Sequence, residues 1–364
     1  KNNNSKTTQP MKKMFTVLLA ASVSIAVAGQ RKIVNLPDIP GYVTMKCDFH
    51  IHTVFSDGDI WPTVRIDEAL RDGLDAIAIT DHIEYTPKKD FLPVDYDAAW
   101  KMGESYARER NIILVHGTEI TRKMPPGHFN ALFIKDAAAI VKDSVWDSFE
   151  AAIKQGAFLQ WNHPGWKAQQ PDGIPRMYEI HRKLLKNGWL HGIEYFNDSE
   201  YYPLVFRFCD ENKLTLTGNS DVHGTISEIY SGKKYSHRPM TLVFAKEKTH
   251  DSLKEAMFAG RTMVYFDDML VGREEFAKPF FYNCISVGKP YLENEKSIFI
   301  EIKNNSDVPF FLVNGKVNSP ASVTLEPNAV TRLVISKKAT FPLTYDVKNI
   351  ITGENKTLRV ELKY

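Results

Sequence analysis

Between residue 42 and about residue 270, short apolar runs alternate with amphipathic stretches. The strand-like runs are Tyr42–Phe49, Asp75–Thr80, Ile112–Val115, Asn130–Ile134, Ala157–Trp161, Gly192–Phe196 and Leu214–Thr217. Helical patterns fall between most of them. Thr63–Arg71 stops at Gly73, Met177–Lys186 at Gly188 and Ser252–Phe258 at Gly260, while Tyr96–Glu109 is rich in Ala, Glu, Lys and Arg. Ser144 reads as an N-cap with Asp147 three residues on, and Val145, Phe149, Ala152 and Ile153 form one stripe before Gly156. Repeated strand-then-helix units predict an α/β fold, a parallel sheet covered by helices and most simply a (β/α) barrel. The gap between the third and fourth strands is too short for a helix, so the barrel should be irregular.

Beyond about residue 275 the period changes to two. Ile298, Ile300 and Ile302 alternate with Phe299, Glu301 and Lys303, and Leu358, Val360 and Leu362 alternate with Arg359, Glu361 and Lys363. Phe310–Val313, Ser322–Leu325, Val330–Ile335 and Leu343–Val347 lie between them, separated by Asn, Gly and Pro. This spacing predicts a small C-terminal all-β sandwich over 276–364, following a barrel domain over 29–275. With no histidine and few clustered acids, the sandwich is expected to carry no chemistry.

Composition removes several classes. Hydrophobic residues at 43% and charged residues at 25% exclude a disordered chain and a multi-span membrane protein. Residues 1–28 read as an N-terminal extension and signal peptide: Lys12-Lys13, an apolar run from Phe15, and Ala26-Val27-Ala28 as a small-residue cleavage site. Export to the periplasm or the extracellular space is the expectation, without stable membrane insertion after cleavage. Removal of this segment takes four lysines and no acid, turning the net charge of +2 mildly negative. General nucleic-acid binding is therefore not expected. Three widely spaced cysteines, Cys47, Cys209 and Cys284, exclude a disulfide framework. Cys47 sits in an apolar strand pattern and is expected to be buried packing.

The candidate chemistry lies at strand ends, where barrel enzymes build their sites. Six of the 11 histidines are there. The first strand ends Asp48-Phe49-His50-Ile51-His52, and residues i and i+2 of a strand face one side. Asp57-Gly58 follows after a short loop. Later strands run into Asp81-His82, Gly117-Thr118-Glu119, Asn162-His163-Pro164 and Ser220-Asp221-Val222-His223, while His128 opens the fourth strand. Any one of these residues alone would be unremarkable. Together, His50, His52, Asp57, His82, Glu119, His128, His163, Asp221 and His223 place nine ionisable donors at one barrel mouth. Uncompensated buried charge is costly, so such a cluster needs cations. Nitrogen and oxygen donors without thiolate suit Zn, Mn or Fe, and nine donors exceed one ion's needs, implying two or three divalent ions. Closely spaced ions clamp the attacking and departing oxygens of a phosphoryl displacement.

These strings, in this order over residues 46–224, resemble the polymerase and histidinol phosphatase (PHP) family of metal-dependent phosphoesterases. The resemblance implies a distorted seven-stranded barrel with a trinuclear site. It implies that His50, His52 and Asp221 hold one ion. Glu119 would bridge to a second ion held by His128 and His163, and Asp57, His82 and His223 would hold a third. An aspartate at position 57 replaces the histidine of some members. Asp81 is expected to orient its neighbours rather than to ligate. Arg176 and Arg238, in loops after candidate strands, are candidate clamps for a substrate phosphate. The expected activity is hydrolysis of a small organic phosphate mono- or diester. A metal-dependent amide or deacylating hydrolase, or a non-catalytic metal-containing binding protein, are the alternatives.

Overall fold

The computed structural model describes residues 31–230, 235–314 and 319–364; the expected signal peptide lies outside the described residues. In chain order the barrel region contains β1 (Val43–Asp48), α1 (Pro62–Arg71), β2 (Ala76–Ile79), α2 (Ala98–Glu109), β3 (Ile113–Ile120), β4 (Phe129–Leu132), α3 (Val145–Lys154) and β5 (Phe158–Trp161). It continues with α4 (Glu179–Lys186), β6 (Gly192–Asn197), β7 (Glu200–Tyr201), α5 (Leu204–Asn212), β8 (Thr215–Asn219), α6 (Ile226–Tyr230), β9 (Met240–Ala245), α7 (His250–Phe258), β10 (Thr262–Phe266) and β11 (Met269–Gly272).

All seven strands read from the sequence are present. Their burial explains why the runs are apolar throughout: β2, Ala-Ile-Ala-Ile, is closed to solvent on both faces, as a strand between a barrel core and a helical layer must be. The α3 helix starts as expected, with the Ser144 hydroxyl accepting from the Asp147 N–H and Phe149 and Ala152 buried. Strand β1 pairs in parallel with β2, β2 with β3, β5 with β6, and β6 with β8.

Two departures from a parallel barrel shape the site. The eight residues between β3 and β4 cannot make a helical crossover, so β4 folds back antiparallel on β3, with Glu119 opposite Asn130. This is the irregularity expected from the short gap between the third and fourth strands. It also explains how His128, at a strand start, reaches the same mouth as residues at strand ends. The second departure is β9, an apolar run the sequence reading did not list. It pairs antiparallel with β1 along Val43–Cys47. Above Cys47 the barrel closes directly: Asp221 N–H donates to the His50 carbonyl (2.8 Å) and His52 N–H to the Val222 carbonyl (3.1 Å). The barrel is therefore closed by direct hydrogen bonds at the level of His50 and His52.

The helix α8 (Glu274–Cys284) follows, then β12 (Ile285–Val287), β13 (Leu292–Glu293), β14 (Ser297–Asn304), β15 (Phe310–Val313), β16 (Ser322–Leu325), β17 (Val330–Ser336), β18 (Leu343–Gly353) and β19 (Lys356–Leu362). Strands β12, β13 and β17 flank β14, and β16-β15-β18-β19 form the second layer. The inward residues Ile298, Ile300 and Ile302 are buried, as the alternation requires. Parallel pairing of β11 with β18 joins this layer to the barrel sheet. The boundary placed at 275/276 falls inside α8. Cys47, Cys209 and Cys284 are free and buried. Among the described residues no helix is long and apolar enough to cross a membrane.

Candidate metal centre

The residues after β1 set the geometry. His50 and His52 point to one side and are closed to solvent. The chain then turns so tightly that a Cβ on Gly58 would lie 2.6 Å from the His52 carbonyl carbon; only glycine permits that approach. The turn brings Asp57 back over His52. Asp81 holds it there, accepting from Thr53 N–H (2.7 Å), Thr53 Oγ1 (2.6 Å) and Ser56 Oγ (2.7 Å). Burial raises the Asp81 carboxyl, and those hydrogen bonds oppose the rise. Its oxygens face the loop, and it does not line the cavity.

The nine expected donors converge. Asp221 Oδ1 lies 3.1 Å from His50 Nε2 and 3.0 Å from His52 Nε2. Glu119, fully buried, turns Oε2 toward His50 (3.7 Å), His52 (3.5 Å) and His82 Nδ1 (2.7 Å), and Oε1 toward His128 Nδ1 (3.0 Å) and His163 Nε2 (3.7 Å). Asp57 Oδ1 lies 3.4 Å from His82 Nε2 and 3.2 Å from His223 Nε2. Three groups have donor atoms close enough to hold an ion: His50–His52–Asp221, His50–Glu119–His163, and His52–Asp57–His82–His223. His128 falls outside all three, although its Nδ1 meets Glu119. Its Nε2 is taken by Gln169 Nε2 at 3.0 Å.

Four buried atoms at the centre have no hydrogen-bond partner: His50 Nε2, His52 Nε2, Glu119 Oε2 and Asp221 Oδ1. They face one another. Native proteins seldom leave one such atom unsatisfied, and four converging nitrogens and oxygens fit a shared cation. The electrostatics agree. Burial pushes His52 down to about 3, with the charge on His82 adding to the fall. For His82 burial opposes, but Glu119 and Asp57 overcome it and raise the imidazole to about 10. His50 is likewise raised, against burial, by Asp221, Glu194 and Glu119. Despite burial, Glu119 and Asp221 are held below the carboxylate range by the surrounding imidazoles. The carboxylates draw protons onto their neighbours because they need positive charge nearby, which divalent ions supply directly.

Two candidate ligands sit on unusual backbone: His163 at φ +26° and Asp221 at φ +50°. Strain of this kind persists only where surrounding contacts over-determine it. Glu194 supplies those contacts. Fully buried on β6, it accepts from His50 Nδ1 (2.9 Å), Gln160 Nε2 (3.2 Å) and Asn219 Nδ2 (2.9 Å) on one oxygen, and from His163 N–H (2.8 Å) and Asn197 Nδ2 (2.9 Å) on the other. Asn197 also reaches Asp221 Oδ2, and Asn162 reaches Glu119 Oε1. Sequence reasoning missed Glu194. The available signal was an acid in the middle of an otherwise apolar strand.

A cavity of about 310 Å³ opens onto seven of the nine donors, His50 and His52 lying deeper, and its remaining walls are Tyr85, Thr121, Trp166 and Asn197. A larger cavity of about 680 Å³ lies at the opposite barrel end, where Arg31, Lys46 and Lys248 surround Asp75. It offers cations rather than metal donors.

Neither expected phosphate clamp reaches the site. Arg238 is completely buried, with Nη1 3.2 Å from Asp48 Oδ2 and Nη2 2.7 Å from Asp72 Oδ2. Its charge is consumed by two carboxylates. Arg176 is exposed, pairs with Asp172 four residues away, and does not line the cavity.

Residues 48–237 match the PHP domain family, and residues 285–363 match an Ig-like domain. A solved two-domain protein from Bacteroides vulgatus, described as containing a predicted PHP-like metal-dependent phosphoesterase, superposes with a TM-score of 0.88. It is 39% identical over 92% of this chain and 99% of its own. A curated but uncharacterized protein of Methanocaldococcus jannaschii is 35% identical over 82 residues, 22% of this chain. That stretch spans 36% of the relative's own length. The family match covers more than half of the chain, and its boundaries enclose every donor described above: the chain belongs to the PHP family.

Proposed function

We propose that the protein hydrolyses small organic phosphate mono- or diesters at a site holding two or three divalent ions, with Zn, Mn or Fe fitting the donors. The observation that carries this reading is the convergence of four buried, unpartnered atoms on His50, His52, Glu119 and Asp221. Ions bound there would supply positive charge against the phosphoryl oxygens and lower the pKa of an attacking water.

The chain's own residues do the rest. His50, His52 and Asp221 hold one position. Glu119 presents one oxygen to that group and the other to the His128–His163 side, so a single carboxylate serves both. Asp57, His82 and His223 form the outer group, nearest solvent. Glu194 accepts the Nδ1 proton of His50, which leaves the Nε2 lone pair facing inward. Gln169 Nε2–H donates to His128 Nε2, which puts the ring proton on Nδ1, facing Glu119, so in this arrangement His128 serves the carboxylate as a hydrogen-bond donor. In the reaction, the bond from phosphorus to the alcohol oxygen breaks, water oxygen joins phosphorus, and the alcohol leaves with a proton. The apolar N-terminal run supports export as the route to substrate.

The test is metal content measured on the purified full chain, followed by turnover of p-nitrophenyl phosphate and bis-p-nitrophenyl phosphate. Both activities should vanish with a chelator and return with Zn, Mn or Fe. Turnover that ignores the chelator, or none with the ions fully loaded, overturns the reading. An acyl substrate cleaved in place of both phosphates would transfer the site to amide or ester hydrolysis.

A further inference from the structure

The rim of the cavity carries two aromatic rings that the fold does not need. Tyr85 is 52% exposed and Trp166 is 41% exposed, yet both line the metal pocket. Tyr85 meets His82 edge-on with ring centroids 6.1 Å apart. Trp166 stands 5.3 Å from His163 and 5.9 Å from His128. His82 touches one oxygen of Glu119, and His128 and His163 face the other, so the two rings flank the centre from its two sides.

Their backbones are fixed while their faces stay open. Trp166 N–H donates to the His163 carbonyl at 2.9 Å. The adjoining Gly165 is so closely packed that a Cβ would lie 2.6 Å from the Gly173 carbonyl oxygen and 2.7 Å from the Tyr202 ring. On the other side, Ile83 N–H donates to the Glu119 carbonyl, and the Glu84 carboxylate accepts from Thr121 N–H at 2.8 Å. Large aromatic surface held rigid and left uncovered beside a polar centre is the anatomy of a ligand wall. Its carboxylates, Asp57, Glu119 and Asp221, serve as donors to the ions, and among the described residues no lysine or arginine lines the pocket. The volume, about 310 Å³, is at the low end for a ligand site, so whatever is attached to the phosphoryl group must lie at the rim between the rings.

We infer that the alcohol esterified to phosphate is a ring-bearing one, aromatic or sugar, whose face packs on Trp166 and Tyr85. The inference rests on the phosphoesterase reading above and narrows it to one kind of leaving group. Binding separates the two. On metal-loaded full-length protein, phenylphosphonate, cyclohexylphosphonate and methylphosphonate are titrated by calorimetry, and Trp166 fluorescence is followed. Phenylphosphonate should bind more tightly than methylphosphonate and quench tryptophan emission; comparison with the cyclohexyl compound separates π-stacking from contact with a saturated ring. Trp166→Ala or Tyr85→Ala should reduce the phenyl-to-methyl affinity ratio about three- to tenfold, and Trp166→Phe and Tyr85→Phe should restore it. A phenyl-to-methyl ratio near one in the wild type, or one unmoved by either alanine, overturns the inference while leaving the phosphoesterase reading intact. Failure of all three phosphonates to bind the loaded protein overturns both.

Discussion

Glu194 Oε1 lies 2.9 Å from His50 Nδ1, with both side chains closed to solvent. Every contact Glu194 makes is as an acceptor, and its second oxygen holds the His163 backbone N–H. A glutamine of the same shape must turn an NH₂ group toward donors in either orientation. Glu194→Gln should therefore loosen His50 and His163 together and lower metal affinity about ten- to a hundredfold. Chelator competition on the purified variant measures this. Retention of wild-type affinity would show that Glu194 is only packing.

His163 supplies an imidazole from a left-handed backbone position, φ +26°. Alanine there would confound loss of a donor with backbone strain, whereas asparagine tolerates such angles. His163→Asn should reduce phosphoesterase turnover about a hundredfold or more, with an unchanged circular-dichroism spectrum. Near-wild-type turnover would remove His163 from the centre.

The parts legible in the sequence were those whose signal is local. The i, i+2 pair His50/His52 shares a face by strand geometry alone, and Glu119, Asp221 and His223 follow apolar runs that could only be strands. The alternation at Ile298, Ile300 and Ile302 likewise fixes which face is buried. What escaped depends on distant pairing. Arg238 reads as a free loop arginine because its partners lie 166 and 190 residues earlier in the chain, at Asp72 and Asp48. Strand β9 was missed because its place at the β1 seam is set by a tertiary pairing. Glu194 was missed because its five donors come from four different strand ends and loops.

Arg238 accordingly makes a stability prediction in place of a kinetic one. Removing it leaves Asp48 and Asp72 without their shared counter-charge, with Asp48 entirely buried. Breaking a buried pair by deleting one partner costs about 3–5 kcal/mol. Arg238→Ala should lower the urea unfolding midpoint by a corresponding amount, and the loss should shrink in acid as the carboxylates protonate. A rise in KM for phosphate substrates at unchanged stability would restore the clamp role.

His181 gives a pH signature away from the metal donors. Its Nε2–H donates to the Pro126 carbonyl at 2.7 Å, its Nδ1 accepts from Tyr178 N–H at 3.0 Å, and its ring stacks on Trp161 at 4.0 Å. Pro126 is two residues before His128, so this imidazole ties α4 to the turn that carries a candidate ligand. Burial pushes His181 down to about 4. The unfolded chain, near 6.5, takes up the proton first. Stability from the neutral ring is thus complete above pH 6.5 and declines as pH falls toward 4, by up to about 3 kcal/mol. Below 4 both states are protonated and the decline stops. His181→Phe keeps the stacked ring but cannot titrate. The stability gap between wild type and this variant, measured by urea unfolding from pH 7.5 to 4.5, should narrow steadily through that window. A gap that stays constant would mean that His181 titrates alike in the folded and unfolded chain, and a gap that widens toward acid would mean that the folded ring holds its proton, against the acceptor role assigned to Nδ1.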